Sequence, residues 1–365
     1  MGLTCGIVGL TNVGKTTIFN CISNSKAQAS NFAFSASKSN IGTIFVPDDR
    51  LYKIDALIKS VKIVPTTVEI VDIPGLAKGA SKGEGVGNKF LADIRNTDAI
   101  IHVLRCFDDP NLPHIEGSID PVRDREIVEI ELIFKDVESV EKKIQRLEKL
   151  IKSGDKDAKK GLEVLAVYKE HLESFQPART APVSDDDRRH IADIFLLTDK
   201  PVLYVCNVDD DSAIAGNKYS QAVQQGLQGQ DAEILIIAGK LESEIAELES
   251  ADDRQVFLED VGLTEPGVHK LVMAAYRMLN LQTFFTAGPK EVRAWTIRQG
   301  MTAPQAAGVI HSDLERGFIR AEVMKYTDFI NLKTEHACKE AGKLYVEGKN
   351  YIVADGDILH IRFNV

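Results

Sequence analysis

Four short apolar runs punctuate the first two-thirds of the chain: Leu3–Val8, Thr67–Val71, Ala99–Leu104 and Pro201–Cys206. Each reads as a buried strand of a parallel sheet. Between Arg123 and Ile151 the period changes. Ile130, Ile133, Val137, Val140, Ile144, Leu147 and Ile151 are spaced alternately by three and four, with charged residues in the gaps. That is the pattern of a coiled-coil seam. Ser153-Gly154-Asp155 breaks it. A second helical stretch near Gly161–Glu173 sets Leu162, Leu165, Tyr168 and Leu172 on one face. A short loop between two apolar stripes predicts an antiparallel helical hairpin. After Phe285 come shorter alternating runs, Arg293–Ile297, Phe318–Val323, Tyr351–Val353 and Ile358–Phe363, separated by turn residues such as Asp355-Gly356-Asp357. These predict a small mixed β domain. The expected organisation is an α/β nucleotide-binding domain in two parts, 1–122 and 198–281, interrupted by a helical insertion, 123–197, and followed by a β-rich domain, 282–365.

Composition constrains the picture further. A chain of 365 residues, 44% hydrophobic and 27% charged, can build two or three cores and is expected to be soluble. No apolar run approaches the roughly 20 residues of a membrane span, and the N-terminus opens directly on a strand, so no leader is expected. Five scattered cysteines form no C-x-x-C pair, which points to a reducing cytoplasm rather than to zinc or disulfides. The net charge of −10 argues against nonspecific nucleic-acid coating, and no DNA sequence readout is expected. From Gln282 onward, however, 11 basic residues meet 10 acidic ones. Lys290, Arg293 and Arg298 flank Trp295 there, as an RNA-facing surface or as a solvated basic face beside a core residue.

The chemistry is concentrated after the strands. Residues 9–17, Gly-Leu-Thr-Asn-Val-Gly-Lys-Thr-Thr, form a complete phosphate-binding loop between the first run and a helix start. Backbone N–H groups from Asn12, Val13, Gly14, Lys15, Thr16 and Thr17 would cradle phosphates at the helix N-terminus. Lys15 would reach the β and γ phosphates, and Thr16 would hold Mg²⁺. Asp72-Ile73-Pro74-Gly75 follows the second run, placing Asp72 for the metal and Gly75 for a γ-phosphate. Leu76 stands where Ras-type enzymes carry a water-orienting Gln, so intrinsic turnover should be slow. The loop from Gly79 to Gly87 reads as a γ-phosphate-sensing switch. Asn207-Val208-Asp209-Asp210 closes the run at Pro201–Cys206, where base recognition is expected from Asn207, Val208 and Asp210. Ile236–Lys240 would cradle the base.

With these motifs in place the chain resembles the YchF / Obg-like ATPases, a branch of the translation-factor-related P-loop hydrolases. The resemblance is carried in order along the whole chain by Asn12–Thr17, by Asp72–Leu76 with the glycine loop, by Phe285–Trp295, by Ala303–His311 and by Asp355–Val365. It implies a Ras-like P-loop domain, the helical insertion and a C-terminal TGS-like domain. It further implies ATP preferred over GTP, Mg²⁺ as cofactor, ribosome or ribosomal RNA as partner, and a cytoplasmic protein, expected as a monomer. Two catalytic candidates come with it. Asn12 would help bind K⁺ near the phosphates, or else bonds within its own loop. His114, in the loop after Ala99–Leu104, suits proton or water handling. Three departures stand out. Ala36 replaces a switch Thr that completes the metal shell, leaving Ser35 or Ser37 as substitutes. Asp210 replaces the usual Glu, which brings the motif closer to a guanine-specific one and keeps GTP open. Thr11 replaces a Pro.

Overall fold

The computed structural model describes residues 4–24, 41–75, 86–152, 155–230 and 232–364. The substituted switch position Ala36, its neighbours Ser35 and Ser37, Leu76, and the glycine loop up to Gly85 lie outside them.

Twelve strands are described: β1 (Thr4–Val8), β2 (Ile41–Phe45), β3 (Ile63–Val64), β4 (Thr67–Asp72), β5 (Ala99–Cys106), β6 (Val202–Val208), β7 (Glu233–Ile237), β8 (Leu281–Ala287), β9 (Val292–Arg298), β10 (Phe318–Lys325), β11 (Leu344–Glu347) and β12 (Asp357–Phe363). The chain divides into two compact units, one of residues 1–42 and 69–271, the other of residues 43–68 and 272–365.

In the first unit β4, β1, β5, β6 and β7 run parallel in that order. Every residue of β5 is buried, and so are Cys5–Val8 of β1 and Leu203–Val208 of β6. This is why these strands read as continuous apolar runs rather than alternating ones. Ligands of open parallel sheets bind beyond the carboxyl ends of the strands. Here those ends deliver the loops after Val8, Asp72, Cys106, Val208 and Ile237.

The first three helices are α1 (Lys15–Asn24), α2 (Asp49–Ile58) and α3 (Val86–Arg95); the expected hairpin follows as α4 (Pro121–Ile151) and α5 (Lys156–Glu173). Asp120 starts α4 by accepting from the Arg123 N–H, and Pro121 fills a first-turn position that needs no donor. Asp155 caps α5 through the N–H groups of Asp157 and Ala158. Ile133, Val140 and Leu147 of α4 pack with Leu165, Tyr168 and Leu172 of α5 in one buried cluster. Leu162 is only half-buried, and Val164 takes the buried place beside Leu165. At the base, Asp136 of α4 accepts from the N–H groups of Leu197 and Thr198 and from the Thr198 hydroxyl, at 2.7, 2.8 and 2.7 Å.

The second unit has a sheet in the order β11-β10-β12-β8-β9-β3, with parallel and antiparallel pairs mixed. Two expectations change here. Tyr351–Val353 is not a strand; among the described residues its ladder pairing is a single bridge between Ile352 and Thr302. Residues 43–68, read in the sequence as part of the nucleotide-binding stretch 1–122, pack within this unit instead. Leu51 and Ile54 of α2 are buried with Phe285, Val292 and Phe329. Ile63 and Val64 pair with Val292 and Arg293. Arg50 forms an ion pair with Asp355 at 2.6 Å. Long-range burial of one helix face decides this, and local periodicity does not carry it. Among the described residues no helix is long and apolar enough to cross a membrane.

Candidate functional site

The loop between β1 and α1 has the backbone that only its residue types allow. Gly9 has φ 148°, and a Cβ there would lie 2.4 Å from the Val103 carbonyl oxygen. Gly14 has φ 94°, and a Cβ would lie 2.2 Å from Asn207 Nδ2. Neither position tolerates a side chain. Asn12 adopts a left-handed φ of 61°, a conformation that Asn accepts more readily than most residues. Its amide Nδ2 donates to the Pro113 carbonyl at 3.2 Å.

Lys15 opens α1. Its ammonium is almost wholly buried and donates to the Leu10 carbonyl at 2.5 Å. Burial lowers its pKa to about 8, with nearby Asp72 opposing the shift. A phosphate in the loop would replace a neutral carbonyl with a full negative charge. One residue on, the Thr16 hydroxyl donates to Asp72 Oδ2 at 3.0 Å. The sequence placed these two on the same metal, and the fold brings them together. A hydroxyl and a carboxylate oxygen beside a phosphate loop are hard oxygen donors suited to Mg²⁺. Gly75 lies against the same group, since a Cβ on it would stand 3.0 Å from Lys15 Nζ.

A cleft of about 730 Å³ opens over these residues, lined by the phosphate loop, by the segment after β5, by Asn207–Asp210 and by Gly239, Lys240 and Ser243. Asn207 is buried and does more than line it. Its Nδ2 donates to the Val13 carbonyl and its Oδ1 accepts from the Gly239 N–H, both at 2.9 Å. One side chain therefore joins the phosphate loop to the loop after β7. Val208 is an apolar, buried wall. Asp210 Oδ2 accepts from Lys240 at 3.1 Å, while among the described residues its buried Oδ1 has no hydrogen-bond partner. That acceptor lies on a residue of the cleft wall.

His114 is not in the lining. Its Nε2 lies 2.8 Å from Asp124 Oδ2, and its Nδ1 accepts from the Glu116 N–H at 3.1 Å. The second bond places the ring proton on Nε2. Asp124 also accepts from Arg123, yet burial raises its pKa.

Sequence reading missed the wall formed by Phe107, Asp108, Asp109, Pro110 and Leu112. One signal was present: Arg105 is a charged residue in a mostly apolar run that reads as a buried strand.

Known proteins share this architecture. A family model described as a 50S ribosome-binding GTPase matches residues 4–162, and the C-terminal model of YchF-type GTPases matches residues 281–364. The chain is 49% identical to the ribosome-binding ATPase YchF of Bacillus subtilis and 46% identical to that of Escherichia coli O157:H7, covering all of each chain. It superposes on the Schizosaccharomyces pombe YchF GTPase with a TM-score of 0.89 at 35% identity, over 99% of this chain and 98% of that one.

Proposed function

This chain belongs to the YchF family, and from that premise we propose that it binds and hydrolyses ATP in the cleft above its phosphate loop, as a ribosome-associated nucleotide switch of the cytoplasm. The observation that carries the reading is the Thr16–Asp72 pair, set one residue beyond the buried Lys15. A Mg²⁺ ion held there would neutralise charge on the terminal phosphates. The rest of the chemistry belongs to the chain. N–H groups of residues 12–17 bind the phosphates, Lys15 balances their charge, and Gly75 offers an N–H beside it.

Hydrolysis is slow on this reading, because Leu76 cannot orient water. His114 supplies that function only after exchanging Asp124 for a water. Asn12 is the residue through which K⁺ would act, with Oδ1 as its ligand atom. Val208 suits adenine by apolar contact. The partnerless Asp210 Oδ1 supports GTP as the second reading, since guanine presents two donors on its pairing edge. A nucleotide sensor with negligible hydrolysis is the third, favoured by Ala36 and Leu76.

Calorimetric titration with ATP and GTP, with and without Mg²⁺, tests the reading alongside turnover in Na⁺ and in K⁺. Tighter Mg-ATP than Mg-GTP binding with measurable turnover is expected. A clear preference for GTP would move the assignment to the second reading, and binding without turnover to the third. An identical rate in Na⁺ and K⁺ would remove the cation from Asn12.

A further inference from the structure

Arg105 is among the largest fully buried side chains of the described residues, 1% exposed. Among the described residues its guanidinium meets no carboxylate at hydrogen-bond distance. Its hydrogen bonds to described residues go instead to backbone carbonyls of the segment that follows β5. Nε donates to Phe107 O at 3.2 Å, Nη1 to Leu112 O at 2.9 Å and Nη2 to Asp109 O at 3.3 Å. The guanidinium carbon also lies 4.7 Å from the centroid of the Phe107 ring. One planar cation thus gathers both ends and the middle of a six-residue loop.

That loop is tied to the base end of the cleft. The Tyr219 hydroxyl donates to the Asp108 carboxylate at 3.0 Å, and Asn217 Nδ2 donates to Cys106 O at 2.7 Å. Both partners lie just beyond the Asn207–Asp210 segment. The next residue of the chain, Pro113, supplies the carbonyl that holds Asn12. Burying a charge without a counter-ion is costly unless its donors are all satisfied. A loop needed only to connect β5 to α4 would not call for it.

We propose that Arg105 is a positioning residue that sets the base-side wall of the nucleotide cleft, and with it the affinity for the nucleoside part of the ligand. The inference rests on the nucleotide-binding reading given above. Lysine cannot reproduce it, because a single ammonium cannot span three separated carbonyls as the planar fork does.

The test titrates wild type, Arg105→Lys and Arg105→Gln with Mg-ATP, Mg-GTP and inorganic Mg-tripolyphosphate. The expected result is a loss of about tenfold or more in ATP affinity, with a narrowed ATP/GTP ratio, while tripolyphosphate stays within about twofold of wild type. Unchanged ATP affinity in both variants would overturn the inference. So would an equal loss for tripolyphosphate, which would mean that Arg105 only supports the phosphate loop. Failure of wild type to bind any Mg-nucleotide would instead sink the reading of the site. Should both variants fail to fold, hydrogen exchange on wild type decides: residues 107–112 are expected to gain more protection from Mg-ATP than from Mg-tripolyphosphate. Equal protection would refute the proposal.

Discussion

His114 and Asp124 face each other at 2.8 Å, and their side chains are only 3% and 1% exposed. His114 lies in the segment joining β5 to α4, next to the carbonyl that holds Asn12, and Asp124 lies in the first turn of α4. A histidine so committed is not poised to take a proton from water, and a catalytic role requires it to leave Asp124. His114→Ala is expected to lower turnover by about tenfold or more with nucleotide affinity nearly unchanged. It should also cost about 1–3 kcal/mol of stability, by taking a partner from a buried carboxylate. Stability loss with an unaltered single-turnover rate would leave His114 a structural residue.

Lys15 gives a pH signature with two opposite signs. Its folded-state pKa is about 8, below the ordinary 10.5. Between those values the unfolded chain keeps a proton that the folded chain has released. Stability of the free protein from this group therefore rises as pH increases from about 8 to 10.5. Nucleotide binding needs the ammonium, so affinity should fall over the same window. Lys15→Met is expected to remove most Mg-nucleotide binding and to flatten the stability difference. Parallel pH profiles for wild type and variant in urea unfolding would contradict the assigned shift.

Thr16 and Asp72 should act as one unit toward the metal. Thr16→Ala and Asp72→Asn are each expected to weaken Mg-ATP binding by about tenfold or more, with little effect on metal-free ATP. The double variant should lose little beyond either single one. Full additivity in titration would separate the two residues.

Asp136 tests what holds the base of the hairpin. Burial keeps its carboxyl at about pKa 6, while three donors converge on it. Asp136→Ala would strand those donors at a cost of about 3 kcal/mol, measured by chemical unfolding. A change below about 1 kcal/mol would show that water reaches Leu197 and Thr198.

The ribosome-facing surface is expected in the second unit. Arg293 lies 4.0 Å over the Trp295 ring and 3.8 Å from Glu291, so part of the basic cluster is already engaged. Neutral replacement of Lys290, Arg293 and Arg298 should weaken co-sedimentation with ribosomes. It should also reduce the salt slope by about one for each phosphate that is no longer neutralised. A folded triple variant with an unchanged slope would place the ribosome-facing surface elsewhere.

The residues proposed to meet phosphate and metal were legible because their sequence signals are local. Gly9, Gly14, Lys15 and Thr16 lie within a few positions of one another, and Asp72 sits at a strand end. The hairpin was legible because its period runs over seven apolar positions of α4. Asn207 was recognisable as a site residue, but not as a brace between Val13 and Gly239, since both partners are distant in sequence. The hydrogen bonds described for Arg105 go to backbone carbonyls, which carry no residue identity. The place of α2 depends on Phe285 and Val292, far along the chain, and no window centred on Leu51 contains them.

That placement bears on how the chain is made. Leu51, Ile54 and Ile63 leave the synthesising ribosome more than 200 residues before the surfaces that cover them, Phe285, Val292 and Phe329. In the interval the first unit can close on its own strands while residues 43–68 wait with an apolar helix face bare. Closing so long a loop is slow even though its added entropic cost is modest. A protein cut after residue 271 would keep that bare face permanently, and the released fragment 272–365 would lack the helix its core was built around.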